Sequence, residues 1–237
     1  LSALADYHDP RPAELLRAWD MQATRDSAAA ALFESFRLHL AERTFRDDLG
    51  NSLLRQAKMY VLAALEGLLA DPQSPWFDNR ATPQRETRDE VIRQAMDDAV
   101  RELTERLGPN MKKWRWGDLH TATFRNQALG QSGIGWVERI FNRGPVAIDG
   151  TAGTVNNTAY HLNAPYAVRS VPSYRQIVDV GDWSRSLSMH TTGQSGHPFH
   201  RHYDDMIDPW RNIQYHPMLW SRAEVEAQAE GVLRLEP

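Results

Sequence analysis

Apolar residues recur at helical spacing through roughly the first hundred positions and then stop doing so. Leu15, Leu16 and Trp19 fall on one face behind Asp9-Pro10, where an N-cap residue precedes a proline suited to the first helical position. Ala29, Leu32, Phe33, Phe36 and Leu40 repeat at intervals of three and four, which predicts a second helix over 26–42. Leu54, Ala57, Val61, Leu65 and Leu68 mark a third, stopped by Asp71-Pro72. Residues 71–81, rich in Pro, Asp and Asn, read as a loop. Thr82-Pro83 then starts a fourth predicted helix, with Val91, Ile92, Ala95, Ala99 and Leu103 inward and Gly108-Pro109 as its end.

The pattern changes near Pro109, where Gly, Asn and Pro become frequent. Residues 136–141 read as a short helix, and from about Thr154 the period shifts toward two. Tyr174, Gln176, Val178 and Val180 form one face of a strand, and Arg175, Ile177 and Asp179 the other. Residues 186–191 supply its antiparallel partner across a turn at Gly181-Asp182. Ser221 and Glu224 form a capping box that opens a helix over 221–230, and Gly231 leads to a last predicted strand at 232–235. The expected organisation is a helical segment, 1–108, and a mixed segment, 109–237, within one continuous unit. Helices first and antiparallel strands later give an α+β fold class, not a βαβ series. The strands are few for a complete sheet. Either the sheet is small or its other strands lie in sequence outside this one.

Composition narrows the function classes. The chain has 237 residues, 41% hydrophobic and 24% charged, which suits a soluble globular protein with a sizeable core. A net charge of -4 without a dense basic run argues against nucleic-acid binding. The absence of cysteine excludes disulfides, thiolate metal sites and a Cys nucleophile. The longest apolar run, 60–70, is interrupted by Glu66 and falls short of the ~20 residues a membrane span needs. Residues 1–9 have neither the basic start nor the apolar core of a signal peptide. Eight tryptophans suit a large core or an interface with another polypeptide, a second copy included.

Candidate chemistry concentrates in a few places. His197, His200, His202, Asp204, Asp205, Asp208 and His216 carry donors that suit zinc or a similar divalent ion, which would make this a metal-dependent hydrolase. The same patch, with Pro198 and Pro209 and no His-Glu-x-x-His helix, also reads as a surface loop braced by hydrogen bonds. Gly193-Gln194-Ser195-Gly196 is one residue short of the Gly-x-Ser-x-Gly elbow of a serine nucleophile; a turn whose glycines permit positive φ is the other reading. Gly150-Thr151-Ala152-Gly153 and Ser132-Gly133-Ile134-Gly135 lack the spacing of a phosphate loop and read as turns. His120, near Trp114 and Trp116, is a general base or a packed core histidine. A third class of function, a non-catalytic assembly module, fits the tryptophan count.

Several blocks together carry a resemblance. They are Trp19-Asp20-Met21 with Asp26-Ser27-Ala28; Trp116-Gly117 with His120; Thr154-Val155-Asn156; Ser173-Tyr174-Arg175 with Val178-Asp179; Gly193-Gln194-Ser195-Gly196; and His202-Tyr203-Asp204-Asp205 with Trp210. In this order and approximate spacing they resemble the penicillin amidase family of N-terminal nucleophile hydrolases, specifically the C-terminal portion of its large subunit. Asn126, near where the family often has His, and the histidines His197 and His200 depart from the pattern.

The resemblance implies part of an αββα sandwich and hydrolysis of amides with apolar acyl groups, such as β-lactam side chains or acyl-homoserine lactones. In that chemistry a self-cleaved chain exposes Ser, Thr or Cys, and its own α-amino group takes the hydroxyl proton. Leu1 offers no such hydroxyl. Ser2 would be terminal only after loss of Leu1, and a helix opens at Asp9-Pro10 where the family places a strand. No catalytic, cofactor-binding or metal residue therefore carries over to this chain. The resemblance further implies calcium held by residues outside this region. It also implies partners in the small subunit and the N-terminal part of the large subunit, and a periplasmic or secreted location.

Overall fold

The computed structural model describes residues 2–5 and 7–236, with Lys58 and Met59 given only in their backbone. Helix α1, Pro10–Arg17, starts as the sequence predicts: Asp9 accepts from the Arg11 N–H at 3.0 Å and Pro10 sits in the first turn. The second and third predicted helices are one element, α2, Ala28–Leu68, of 41 residues. Its N-cap is Ser27 and not Asp26, the Ser27 hydroxyl accepting from the Ala30 N–H at 3.1 Å. The gap read between Leu40 and Leu54 is bridged by Phe45, which is buried, and Leu49, which is partly so. Gly50 still leaves a mark there, at φ +68°, a conformation that side chains other than glycine avoid.

Helix α3, Arg88–Leu107, begins at a capping box between Thr87 and Glu90, not at Thr82-Pro83. Residues 82–86 are held in a turn, with the Thr82 hydroxyl donating to Glu86 at 2.8 Å. Its end is the predicted Gly108, at φ +89°. Helices α2 and α3 pack along their apolar faces. Leu32, Met96, Ala99 and Leu103 join Leu16 of α1 in one cluster, and Leu40, Phe45, Leu62, Leu65, Val91 and Ala95 make a second. Each such leucine contributes about 1.5–3 kcal/mol through burial, so this pair carries much of the local stability.

The chain divides into two compact units, residues 1–123 with 144–171 and residues 124–143 with 172–237. After α3, helix α4, Trp116–Leu119, leads into β1, Thr121–Phe124, which pairs with β2, Arg143–Ala147, in a two-stranded sheet. Neither strand was anticipated. The β character expected from Thr154 amounts here to isolated bridges, such as Ala159 with Ser170.

The second unit contains α5, Gly135–Phe141, close to the predicted 136–141. Its sheet is β3, Tyr174–Ile177, β4, Leu187–His190, and β5, His216–Pro217, in the order β3-β4-β5. β3 and β4 are antiparallel, with Tyr174 opposite His190 and Ile177 opposite Leu187. The strand stops three residues before the predicted Val180, because the Asp179 N–H turns to the Ser186 hydroxyl at 3.1 Å. Short helix α6, Ile207–Arg211, buries Ile207 and Trp210. Helix α7, Arg222–Gln228, carries the predicted Ser221–Glu224 capping box. Residues 232–235 are not a strand; Val232, Leu233 and Leu235 are exposed. The fold is thus α+β, helices preceding small sheets whose β3-β4-β5 ladder is antiparallel. No described helix is long and apolar enough to cross a membrane.

Candidate functional site

The sequence blocks converge within each unit. In the first, Ala23 to Ser27, Trp116-Gly117 and Asp149 to Asn156 are knitted by backbone. The Trp116 N–H donates to Ser27 O at 3.1 Å, Gly117 N–H to Arg25 O at 2.7 Å and Gly150 N–H to Ala23 O at 2.7 Å. Gly117 is required by proximity, since a Cβ there would lie 2.8 Å from Arg25 Cβ and 2.9 Å from Ala147 Cβ. The Trp116 indole donates to Gly150 O at 2.9 Å.

His120 sits at the centre of this knot, fully buried and stacked on Trp116 at 4.4 Å with 14° between the rings. Nδ1 lies 2.8 Å from Tyr166 O and Nε2 2.9 Å from Thr158 Oγ1. A carbonyl only accepts, so Nδ1 carries the proton, while the one Thr158 hydroxyl hydrogen lies between Nε2 and Asp149 O, 3.0 Å from that hydroxyl. Burial pushes His120 down to about 4, against the pull of these hydrogen bonds. The ring is neutral and sealed from solvent, and Thr158 is equally buried. This buried hydroxyl–imidazole pair joins Trp116, Thr158 and Tyr166 into one packed unit.

A second buried network lies beside it. Glu102 on α3 accepts from the Ser35 hydroxyl at 2.8 Å and the Tyr166 hydroxyl at 2.6 Å, with His39 Nε2 at 3.0 Å. Burial alone would raise this carboxyl, but the bonds from His39, Tyr166 and Ser35 outweigh it and bring Glu102 down to about 2. Glu34 accepts from Arg37 at 2.8 Å and from the Tyr160 hydroxyl at 2.6 Å. Tyr166 holds φ +68°, a strained value for a non-glycine residue, with its hydroxyl tied to Glu102 and its carbonyl to His120. A cavity of about 160 Å³ beside it is lined by Leu38, Leu54, Leu162, His39, Glu102 and Tyr166. None of these acids and tyrosines stood out in the sequence. The available signal was a carboxylate on an otherwise inward helical face, at Glu34 among Leu32, Phe33 and Phe36 and at Glu102 beside Leu103.

In the second unit the residues of the histidine patch are engaged with their neighbours. Among the described residues no three His, Asp or Glu side chains converge as ligands. His202 is held instead by Asp205 at 2.6 Å and Glu230 at 2.9 Å, and those hydrogen bonds raise its pKa. Asp204 pairs with Arg143, and Asp208 with Arg211 at 3.0 Å. The hub is Arg143, which the sequence reading passed over. It donates to Ile140 O at 2.8 Å, Asn142 O at 3.0 Å and Pro198 O at 2.8 Å, and lies 4.5 Å over the Tyr203 ring. The Tyr203 hydroxyl donates to Phe141 O at 2.5 Å. Asn126 Oδ1 accepts from the Ala128 and Leu129 N–H groups at 3.1 and 3.0 Å, fixing the turn there.

Ser195 is a turn residue. Its hydroxyl accepts from the His197 N–H at 3.1 Å, and its own N–H donates to His202 O at 2.9 Å. The expectation of positive φ at Gly193 and Gly196 is corrected: neither lies in the left-handed region. Gly193 is needed because a Cβ would strike the His202 and Tyr203 backbone. Gly133 and Gly150 do hold positive φ, +76° and +98°, as their turns require. Ser173-Tyr174-Arg175 meets Trp210, with the Arg175 guanidinium 4.8 Å over its ring and the Trp210 indole donating to Pro172 O at 3.0 Å. Leu1 lies outside the described residues, and Ser2 stands in a short 3-10 turn, Ser2–Leu4.

Comparison with known proteins gives these joints a context. The profile of the family described as Penicillin amidase matches residues 2–227. An acyl-homoserine lactone acylase, QuiP, of Pseudomonas aeruginosa is 31% identical over 216 residues, covering 84% of this chain and 26% of its own length. The penicillin acylase 2 proenzyme of a Pseudomonas species is 28% identical over 239 residues, covering 95% of this chain and 29% of its own. The chain thus spans about a quarter of the length of the curated relatives it matches. A solved thermostable penicillin G acylase from Alcaligenes faecalis superposes with a TM-score of 0.49 at 16% identity, over 98% of this chain and 44% of its own.

Proposed function

Because this chain belongs to the penicillin amidase family, we propose that it is a structural portion of an amide-hydrolysing acylase whose attacking nucleophile comes from polypeptide outside these residues. The observation that carries this reading is the use to which the motif residues are put. Ser195 ties a turn, His120 fills a sealed stack, Arg143 and Tyr203 clamp loops, and Glu102 anchors Tyr166. Each is spent on positioning backbone, so what they build is a rigid support. The match to about a quarter of each longer acylase fits a support that works within a larger enzyme.

On this reading the substrate is an amide with an apolar acyl group, the class suggested by relatives named for penicillin and for acyl-homoserine lactones. The hydroxyl of an N-terminal residue elsewhere attacks the amide carbonyl, and that residue's free α-amino group takes the proton. The partners are the small subunit and the N-terminal part of the large subunit, and the location is periplasmic or secreted. Calcium, where present, would be held by residues outside this region, and no step here runs through a metal.

The test is direct. The purified chain should leave a chromogenic phenylacetyl or fatty-acyl amide intact, and co-expression with the nucleophile-bearing polypeptide should give turnover. Hydrolysis by these 237 residues alone would overturn the proposal.

A further inference from the structure

His202 faces a carboxylate at each of its ring nitrogens. Asp205 Oδ2 lies 2.6 Å from Nδ1 and Glu230 Oε1 lies 2.9 Å from Nε2. Ionised carboxylates only accept, so both nitrogens must carry protons for both bonds to form, and the ring that satisfies this geometry is the imidazolium. The neighbouring histidines are arranged otherwise. His200 Nδ1 accepts from the His202 N–H at 3.1 Å, and His197 Nδ1 accepts from the Phe199 N–H at 3.3 Å. Each therefore keeps a bare nitrogen, and the neutral His200 ring, 5.4 Å from that of His202, leaves the charge to His202.

The two carboxylates belong to different parts of the second unit. Asp205 is three residues from His202 on the same loop, whereas Glu230 follows α7 and is 28 positions away. Helix α7 buries no side chain. Just before its start, Trp220 stacks on Trp183 with ring centroids 5.1 Å apart. Beyond its end, Glu230 meets His202 and also Arg201. Val232, Leu233 and Leu235 lie past this point and are exposed. The helix and the residues after it thus form a strap fastened near both ends with no buried side chain in the helix between.

We propose that His202 is a proton-operated clasp, which as the imidazolium fastens the C-terminal strap, residues 222–236, to the 197–205 loop and on losing a proton lets the Glu230 end go. A neutral ring keeps one N–H and turns a lone pair toward one carboxylate. Asp205 is local and keeps its bond. Holding Glu230 also orders the intervening chain, so that contact opens. Arg201 remains beside Glu230, but both side chains are well exposed, and such an ion pair holds little alone. The groups facing the ring favour its charge: Asp205 and Glu230 raise the His202 pKa above the ordinary 6.5. The clasp is therefore fully closed below pH 6.5 and opens as pH rises through the folded-state value. The clasp does not depend on the proposed function.

The test uses the whole chain. Ring-proton NMR should place the His202 titration above 6.5. Hydrogen exchange of the 222–230 amides, corrected for its intrinsic rise with pH, should speed up roughly threefold with an inflection at that same pH. Glu230→Gln, at an exposed position, should bring the His202 pKa down toward 6.5 and leave strap exchange fast and without an inflection. His200→Gln should change neither reading. A His202 titration at or below 6.5, strap exchange that ignores the His202 titration, or an unchanged His202 pKa in Glu230→Gln would each overturn the clasp. Strap protection that is level with pH but lost in Arg201→Gln would overturn it in favour of Arg201 as the fastening.

Discussion

Replacing His120 with Asn tests whether the central joint of the first unit is built as described. The ring is fully buried, and burial moves its pKa from an ordinary 6.5 to about 4. A depressed pKa means the unfolded chain binds the proton more readily. Stability from this group is complete above pH 6.5 and is lost as pH falls toward 4. Between pH 7 and pH 5 the unfolded state gains about 2 kcal/mol that the folded state cannot match. Asn can still donate to Tyr166 O but cannot titrate, and it forfeits the stack on Trp116. The variant should therefore be less stable at pH 7 by about 2–4 kcal/mol, and the gap to the parent protein should shrink by about 2 kcal/mol at pH 5. Urea unfolding followed by tryptophan fluorescence at both pH values measures this, provided the m-value is shared. The other histidines are common to both proteins and cancel. An equal gap at pH 5 and pH 7 would refute a sealed, neutral His120.

Three further outcomes follow from the packing. Glu102→Gln should cost about 3 kcal/mol near neutral pH, and because the carboxyl titrates at about 2 in the fold against an ordinary 4.5, it should flatten the stability loss that acid titration shows between pH 4.5 and 2. Arg143→Lys keeps the charge but cannot serve three carbonyls and Asp204 at once; hydrogen exchange should show residues 192–206 opening roughly tenfold more often, equivalent to about 1.4 kcal/mol. Gly117→Ala forces a methyl against Arg25 and Ala147, and calorimetry should find a loss of about 1–3 kcal/mol.

Long-range order was legible in the sequence where one local pattern repeated. Helices α1, α2 and α3 announced themselves through their apolar faces, and the Ser221 box and the β3–β4 pairing were read from a few adjacent residues. Errors arose at boundaries. Thr87-Arg88-Asp89-Glu90 has the capping-box spacing, yet Thr82-Pro83 drew the start five residues early. The break read between Leu40 and Leu54 overlooked Phe45 and Leu49, which carry the apolar face through. Strands of two to five residues, such as β1, β2 and β5, are too short to display a period. The buried networks were invisible for a different reason: Tyr166 meets Glu102 across 64 positions and Tyr160 meets Glu34 across 126. Only tertiary packing creates those pairs. The joint order of the blocks pointed to the penicillin amidase family, whose profile matches residues 2–227. Their local roles, above all Gly193 yielding to the His202 backbone, required coordinates.

On the proposed function these residues support a reaction whose attacking atom lies on other polypeptide. Treating the assembled, active acylase with a fluorophosphonate, which phosphonylates activated hydroxyls and releases fluoride, and then weighing each polypeptide intact locates the attacking hydroxyl. Inactivation should come with one adduct on the partner polypeptide and none on this chain. A stoichiometric adduct on Ser195, Ser2 or any other hydroxyl of this chain would contradict it.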